Sequence, residues 1–418
     1  MNLVSISETA KLLDVSIDTV RRWEKKGLIK AHRDTKNNRL FNFDEVKRLQ
    51  RKLDGDDTEN RYRILKDDNQ NGLTSIDLFA GGGGTALGLS HAGFSHLLVN
   101  EFDKHATATL RLNRPDWNVI EGDVHEVSFT NLRGKVDLVE GGFPCQAFSY
   151  AGNKLGFADT RGTLFHEFVR CVEEVRPKVA MGENVRGLLT HDGGRTFKTM
   201  VSTLQNADYR VAYRLMRAQY HDVPQKRERL IIIAVRNDLD YEIFFPREHD
   251  YTVSLRDALS DCPASDGMKY ADWKFDVMCQ VPEGGNWRDL PDDVQRSYMK
   301  ASYHLGGGKT GMARRLAWDE PSLTLTCNPA QKQTERCHPS ETRPLSVREY
   351  ARIQTFPDDW EFSGGVTAAY KQIGNAVPCN LAYHLGKGIE AMIKGTLPEG
   401  YDSVEPISPI AEAELLAE

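Results

Sequence analysis

The stretch from Leu73 to Phe79 is a short apolar strand that runs into Gly81-Gly82-Gly83-Gly84 and then into an apolar helix carrying Ala86, Leu87 and Leu89. This order constrains the fold more than any other feature of the chain. Four glycines behind a buried strand let backbone amides close on a ligand at a helix amino end. Open α/β sheets place their ligands at such turns. The rhythm continues with apolar runs at Leu97-Leu98-Val99, Val119-Ile120, Val136 to Val139, Val179-Ala180-Met181 and Leu230 to Val235, separated by helical segments. The expected architecture is α/β, doubly wound, with a largely parallel sheet.

The strand ending near Val139 leads through Gly141-Gly142 into Phe143-Pro144-Cys145-Gln146-Ala147-Phe148-Ser149. That places one thiol on a loop at the sheet's carboxyl edge, where chemistry is usually carried. A Pro-Cys pair alone is most often just a loop, so the surrounding motifs matter. Glu183-Asn184-Val185, Gln225-Lys226-Arg227-Glu228-Arg229 and Gln372-Ile373-Gly374-Asn375 follow downstream. Taken singly, each polar residue could form an ordinary surface ion pair. The glycine turn departs from Gly-x-Gly-x-x-Gly spacing and carries Phe79 before it, while Glu101 closes the next strand, where a carboxylate suits a ribose diol. A nicotinamide site is the competing reading of the turn, but it gives neither Cys145 nor Glu183-Asn184-Val185 a task.

In this order the motifs resemble the DNA cytosine-5 methyltransferase family of the bacterial modification type, over about residues 72–395. The resemblance implies an S-adenosylmethionine-dependent methyltransferase fold, doubly wound, with an inserted irregular target-recognition domain. It implies S-adenosylmethionine as cofactor, held by Asp77, Phe79, Ala80, Gly81, Gly83, Glu101, Phe102, Asp123, Val124, Pro144, Leu164, Asn375 and Val377. Within that set Phe79 would lie against the adenine, Glu101 on the ribose and Asp123 near the adenine amino group. It makes Cys145 the nucleophile that adds to carbon 6 of cytosine, because carbon 5 is a poor nucleophile until something adds there. Glu183 would stabilise the ring at N3, Arg229 would hold the cytosine O2, and Arg227 would serve the base pocket or an adjacent phosphate. Asn184 would order the pocket, and Gln146 and Ser149 would touch DNA. The target base must be flipped out of double-stranded DNA to reach these groups. The segments 343–357 and 369–378 resemble the family's ninth and tenth motifs. An RNA cytosine-5 methyltransferase is the nearest rival, but the usual second catalytic cysteine is not where Glu183-Asn184-Val185 stands, and no Cys-Phe-Thr signature is found.

Residues 1–53 carry 13 Lys and Arg against 7 Asp and Glu, which leaves −12 for the remainder of a chain whose net charge is −6. Ser5 with Glu8 has capping-box spacing, Ser16 can cap a second helix from Ile17 to Lys26, and Gly27 can stop it. A basic hairpin-like stretch and a helix capped by Asp44 follow. The pattern resembles a MerR-type winged helix-turn-helix, which implies DNA contacts from Asp18, Thr19, Arg21 and Arg22 in the groove and from Arg33 and Arg39 on phosphate. A charged face without ligand is the alternative. A transcriptional repressor in which methylation is secondary is the rival from another functional class.

The expected domains are residues 1–53, a tether at 54–72, a catalytic part at 73–236, the recognition insert at 237–365, a catalytic return at 366–396 and a solvated acidic tail at 397–418. Seven scattered cysteines suggest a reducing compartment rather than a disulfide framework or a metal centre. No apolar run reaches membrane length and no leader pattern opens the chain. The expectation is therefore a cytoplasmic, DNA-associated enzyme with a monomeric catalytic unit, linked in function but not in contact to a restriction endonuclease.

Overall fold

The computed structural model describes residues 3–33, 38–54, 60–143, 164–304 and 310–410. They form two compact units, residues 1–61 with 248–252, and residues 62–247 with 253–418.

In the smaller unit the Ser5–Glu8 capping box forms in full and opens the helix Ile6–Leu12. Ser16 caps Ile17–Lys25, accepting from the Thr19 amide. Gly27 ends that helix with φ +74°. Val20, Ala10, Leu13, Ile29, Phe41 and Val46 make a small core, and strands Leu3–Ser5, Arg39–Asn42 and Ala31–Arg33 pair antiparallel beside it. At the head of the third helix, Phe43–Asp54, Asn42 accepts from the Glu45 amide at 3.3 Å, while the Asp44 side chain expected to cap it lies outside the described residues. Arg39 reaches Glu24 at 2.6 Å and Arg33 lies 3.9 Å from the same carboxylate, so the wing arginines are partly neutralised. Arg21 and Arg22 are exposed on the second helix, Arg21 pairing locally with Asp18 at 2.8 Å.

The larger unit is built on a seven-stranded sheet. Its strands are β1 (Thr74–Leu78), β2 (Ser95–Glu101), β3 (Val119–Glu121), β4 (Leu138–Gly141), β5 (Val179–Val185), β6 (Tyr209–Arg217) and β7 (Glu228–Arg236). They run in the order β3-β2-β1-β4-β5-β7-β6. β1 to β5 are parallel, but β7 runs antiparallel to both of its neighbours. The sheet is therefore mixed at one end. β6 escapes the sequence reading because Arg210, Arg214 and Arg217 interrupt its apolar residues.

Successive side chains go to opposite faces. Val139, Ala180 and Ile232 pack on one side with α3 (Leu164–Val175) and α4 (Arg195–Asn206). Leu138, Met181, Ile231 and Ile233 pack on the other with α1 (Gly84–His91) and α7 (Cys379–Lys394). By the same alternation Asp77, Glu140, Glu183 and Arg229 all belong to the α1–α7 face. Between β2 and β3 lies α2 (Lys104–Asn113), while α5 (Val347–Ile353) and α6 (Val366–Asn375) precede α7. Within the insert, Met278, Trp287, Tyr298, Met299 and Cys337 make their own cluster.

The described parts of the expected tether and tail, residues 60–72 and 397–410, are docked. Tyr62 donates to the Arg352 carbonyl, the Leu65 amide to Asn380, and Asp67 takes Tyr383 and Lys387. After Gly400, the strand Tyr401–Val404 pairs with Ile243–Pro246, and the Ile407 amide donates to the Val211 carbonyl at 2.7 Å. Both segments read as polar in composition, but their few apolar residues and backbone groups find partners on the sheet. The stretch Ile243–Pro246 also belongs to the sheet-side core rather than to the insert. No helix among the described residues is long and apolar enough to cross a membrane, and the six described cysteines are all free.

Candidate active site

β1 delivers the glycine turn in a strained form. Phe79 has φ +62°, Gly81 +55° and Gly83 +92°; a left-handed phenylalanine costs about 1–3 kcal/mol and marks a turn held by its surroundings. The Ala80 amide bonds the Asn100 carbonyl, and the Gly81 amide donates to Glu101 at 2.7 Å. A β-carbon on Gly84 would stand 2.2 Å from the Val377 carbonyl oxygen. Only glycine therefore lets the chain leaving α6 return against the turn, which brings Asn375 and Val377 beside it.

These residues fit an adenosine-bearing ligand. The Glu101 carboxylate is aimed by two backbone amides, from Gly81 and Asp103, and its remaining lone pairs suit ribose hydroxyls. Phe102 follows it with 76% of its surface exposed, a bare ring at the rim. Beyond β3, Asp123 is exposed and held by the backbone and ring of His125, which keep its carboxyl below the usual range. Val124 faces inward. Its side chain is 3% exposed in the core, so only its backbone is available to a ligand. Leu164, opening α3, packs half-buried on the same core.

At the catalytic edge, Glu183 and Arg229 pair at 2.6 Å, each side chain 13% exposed. Burial lowers the arginine's affinity for its proton, and Glu183 offsets this. The second oxygen of Glu183 faces Gly142, where a β-carbon would approach it at 3.4 Å. Asn184 donates to the Phe143 carbonyl at 2.9 Å, and the Phe143 ring is clamped by Phe165 and Phe168. The root of the next loop is thus fixed on three sides. Cys145 itself, with Pro144, Gln146 and Ser149, lies outside the described residues.

Arg227 is held from behind. It is 1% exposed, and its guanidinium donates to the carbonyls of Leu325, Gly374 and Asn375. Burial and the neighbouring Arg229 push its pKa down to about 9. Its two terminal nitrogens are spent on backbone, which makes it a strut joining the insert to the α6 end, while its buried Nε has no partner in the protein. Arg227 also lines a cavity of about 470 Å³ whose wall includes Arg186, Arg217, Lys226 and Arg229, with Glu228 as its acid. Arg186 and Arg217 were not singled out from sequence. Arg186 directly follows Glu-Asn-Val, which was a usable signal, whereas Arg217 ends the unrecognised strand β6. The basic wall suits a nucleotide phosphate.

Residues 73–391 match the family model for C-5 cytosine-specific DNA methylase, and residues 5–41 match that for MerR family regulatory protein. The chain is 54% identical over 404 residues to the Type II methyltransferase M.Eco47II of Escherichia coli, spanning 92% of this chain and 94% of that protein. It is 57% identical over 328 residues to M.PspPI of a Psychrobacter strain, spanning 76% and 79%. A solved structure described as a DNA modification methyltransferase encoded within an E. coli prophage aligns with a TM-score of 0.56 at 26% identity, covering 77% of this chain and 99% of that one.

Proposed function

Because the chain belongs to the C-5 cytosine-specific DNA methylase family, we propose that Cys145, Glu183 and Arg229 carry out its reaction at one short double-stranded sequence. The protein methylates carbon 5 of cytosine in DNA with S-adenosylmethionine, which supplies an electrophilic methyl group. The observation that carries the residue assignment is the Glu183–Arg229 pair, set against Gly142 at the root of the Cys145 loop. The Cys145 thiolate adds to carbon 6, making carbon 5 nucleophilic. Arg229 and Glu183 meet the polar edge of the flipped ring; carbon 5 would take the methyl group as its bond to the donor sulfur breaks, and loss of the carbon 5 proton to water would then expel the Cys145 thiolate. The basic cavity wall holds the nucleotide while this happens, and the buried Phe143 fixes the root of the Cys145 loop.

Bisulfite sequencing of DNA from cells expressing the protein should reveal protected cytosine at one short repeated site, and none with Cys145→Ala. Protection in both strains, or scattered without a common sequence, would sink the assignment. Glu101→Ala should weaken S-adenosylmethionine binding by about tenfold, the scale of one lost charge-assisted hydrogen bond. Its effect on the single-turnover methylation rate at saturating cofactor should be smaller. Equal affinity by calorimetry would remove Glu101 from the cofactor.

The named relatives are Type II modification enzymes, which supports a role beside a separate restriction endonuclease, with the enzyme working as a monomer on cytoplasmic DNA. The amino-terminal unit gives a second footing on DNA. We assign it to an operator near the protein's own gene, where the varied residues Asp18, Thr19, Arg21 and Arg22 can read base edges and repression would prevent over-methylation. No described helix of this unit is longer than the 12 residues of Phe43–Asp54, which is short for a dimer helix, so the binding should be weak. Footprinting with intact protein and with residues 1–60 deleted should show protection only with the intact chain. An identical footprint from both, or none from either, leaves simple tethering.

A further inference from the structure

Asp77 and Glu140 stand opposite each other on the adjacent parallel strands β1 and β4, and they are 0% and 1% exposed. Both oxygens of Asp77, and one of Glu140, lie buried without any donor from the rest of the protein. Two carboxyls buried in register with no donor to Asp77 cannot both carry full charge, so the pair holds a proton. The facing charges are acidic: Glu101 from β2 toward Asp77, and Glu183 from β5 toward Glu140. Glu183 is itself neutralised by Arg229. Burial and these like charges raise the proton affinity of both groups, Asp77 to about 7. No step of the methyl transfer uses this proton.

The pair sits at the root of two loops. Asp77 leads into the cofactor turn four residues on, and Glu140 leads to Cys145 five residues on. The group to be transferred must reach both, and in S-adenosylmethionine it is borne by a sulfonium cation, whereas the product S-adenosylhomocysteine has a neutral thioether there. We propose that Asp77 and Glu140 form a positioning pair that shares one proton in the free enzyme and releases it to solvent when the cationic donor binds, so that the site favours donor over spent product. After transfer the positive charge is gone and the pair recovers a proton from solvent, so the pair's own balance over one turnover is zero. The proposal rests on the reading of the glycine turn as the cofactor site.

The test is calorimetric titration of S-adenosylmethionine and S-adenosylhomocysteine into wild type and Glu140→Gln. Two buffers of different ionisation enthalpy give the protons released. In the wild type the donor should release more protons than the product. Its preference over product should rise severalfold between about pH 6 and 8. In Glu140→Gln, where the amide supplies a permanent donor to Asp77, that ligand difference should shrink and its pH dependence flatten. An undiminished difference in the variant overturns the proposal. Glu101→Ala, titrated alongside, must weaken both ligands if the turn is the cofactor site, which separates the failure of that reading from failure of this one. If Glu140→Gln does not fold, Asp77→Asn supplies the same permanent donor from the opposite strand.

Melting of the ligand-free protein gives a second readout. An acid with raised affinity keeps its proton in the fold after the unfolded chain has lost it, so its stabilising contribution declines as pH rises from about 4 through 7. Buried His91 and His96, both held near pKa 4 by burial, act in the opposite sense below about pH 6.5. The melting temperature of wild type minus that of the variant should therefore fall across this range. A constant difference would count against the shared proton.

Discussion

Serine in place of Cys145 is expected to lower methyl transfer by at least about a thousandfold, a loss of roughly 4 kcal/mol of transition-state stabilisation, while S-adenosylmethionine binds with nearly unchanged affinity. A thiol supplies a few per cent of intrinsically strong nucleophile at neutral pH, whereas an alkoxide needs an adjacent base to form at all. The same exchange barely changes side-chain size, so the loop should keep its shape. Its root is fixed independently of residue 145 by the Asn184–Phe143 bond and the buried phenylalanine cluster. The cofactor turn belongs to β1, on a different loop. Transfer of a labelled methyl group to DNA, read beside calorimetry of the cofactor, checks both halves. A variant within about tenfold of wild type, or 1.4 kcal/mol, would end the covalent mechanism.

Much of the fold was legible because buried parallel strands are written as continuous apolar runs. Leu230 to Val235 and Val179 to Met181 were readable for that reason. Direction is not encoded in such a run, so the reversal of β7 was invisible. β6 is an edge strand with one face against α4 and arginines between its apolar residues, which masks the alternation. The tail misled for another reason. Six acids after Leu397 set its average character, but Tyr401, Ile407 and a few backbone groups determine where it docks. In the site, residue types and order indicated the strand-end positions of Glu101 and Glu183. That Arg227 is tied to carbonyls while Arg229 pairs with Glu183 depends on chain segments 98 to 148 residues beyond Arg227, and spacing alone could not separate the two.

That separation gives the second large effect. Arg227→Ala should act on the fold. It leaves the carbonyls of Leu325, Gly374 and Asn375 without their donor inside the protein and opens a cavity where a fully buried side chain stood, a loss of roughly 3 kcal/mol or more. The α6 end would loosen with it, so cofactor binding should weaken as well. Arg229→Ala should act chiefly on the reaction. It removes the partner of Glu183 and one of the cations lining the cavity, and the loss of one preorganised donor at a developing charge lowers turnover by about a hundredfold to a thousandfold. Its stability cost should be smaller, because Glu183 at 13% exposure can take up water when the arginine is gone. Arg229→Lys should recover little, since a point charge cannot replace a planar fork aimed at both the carboxylate and the base. Thermal melting and single-turnover rates on the two alanine variants decide the matter together. If Arg229→Ala turned over within about threefold of wild type, or if Arg227→Ala melted where wild type does, the division of labour between the two arginines would be wrong.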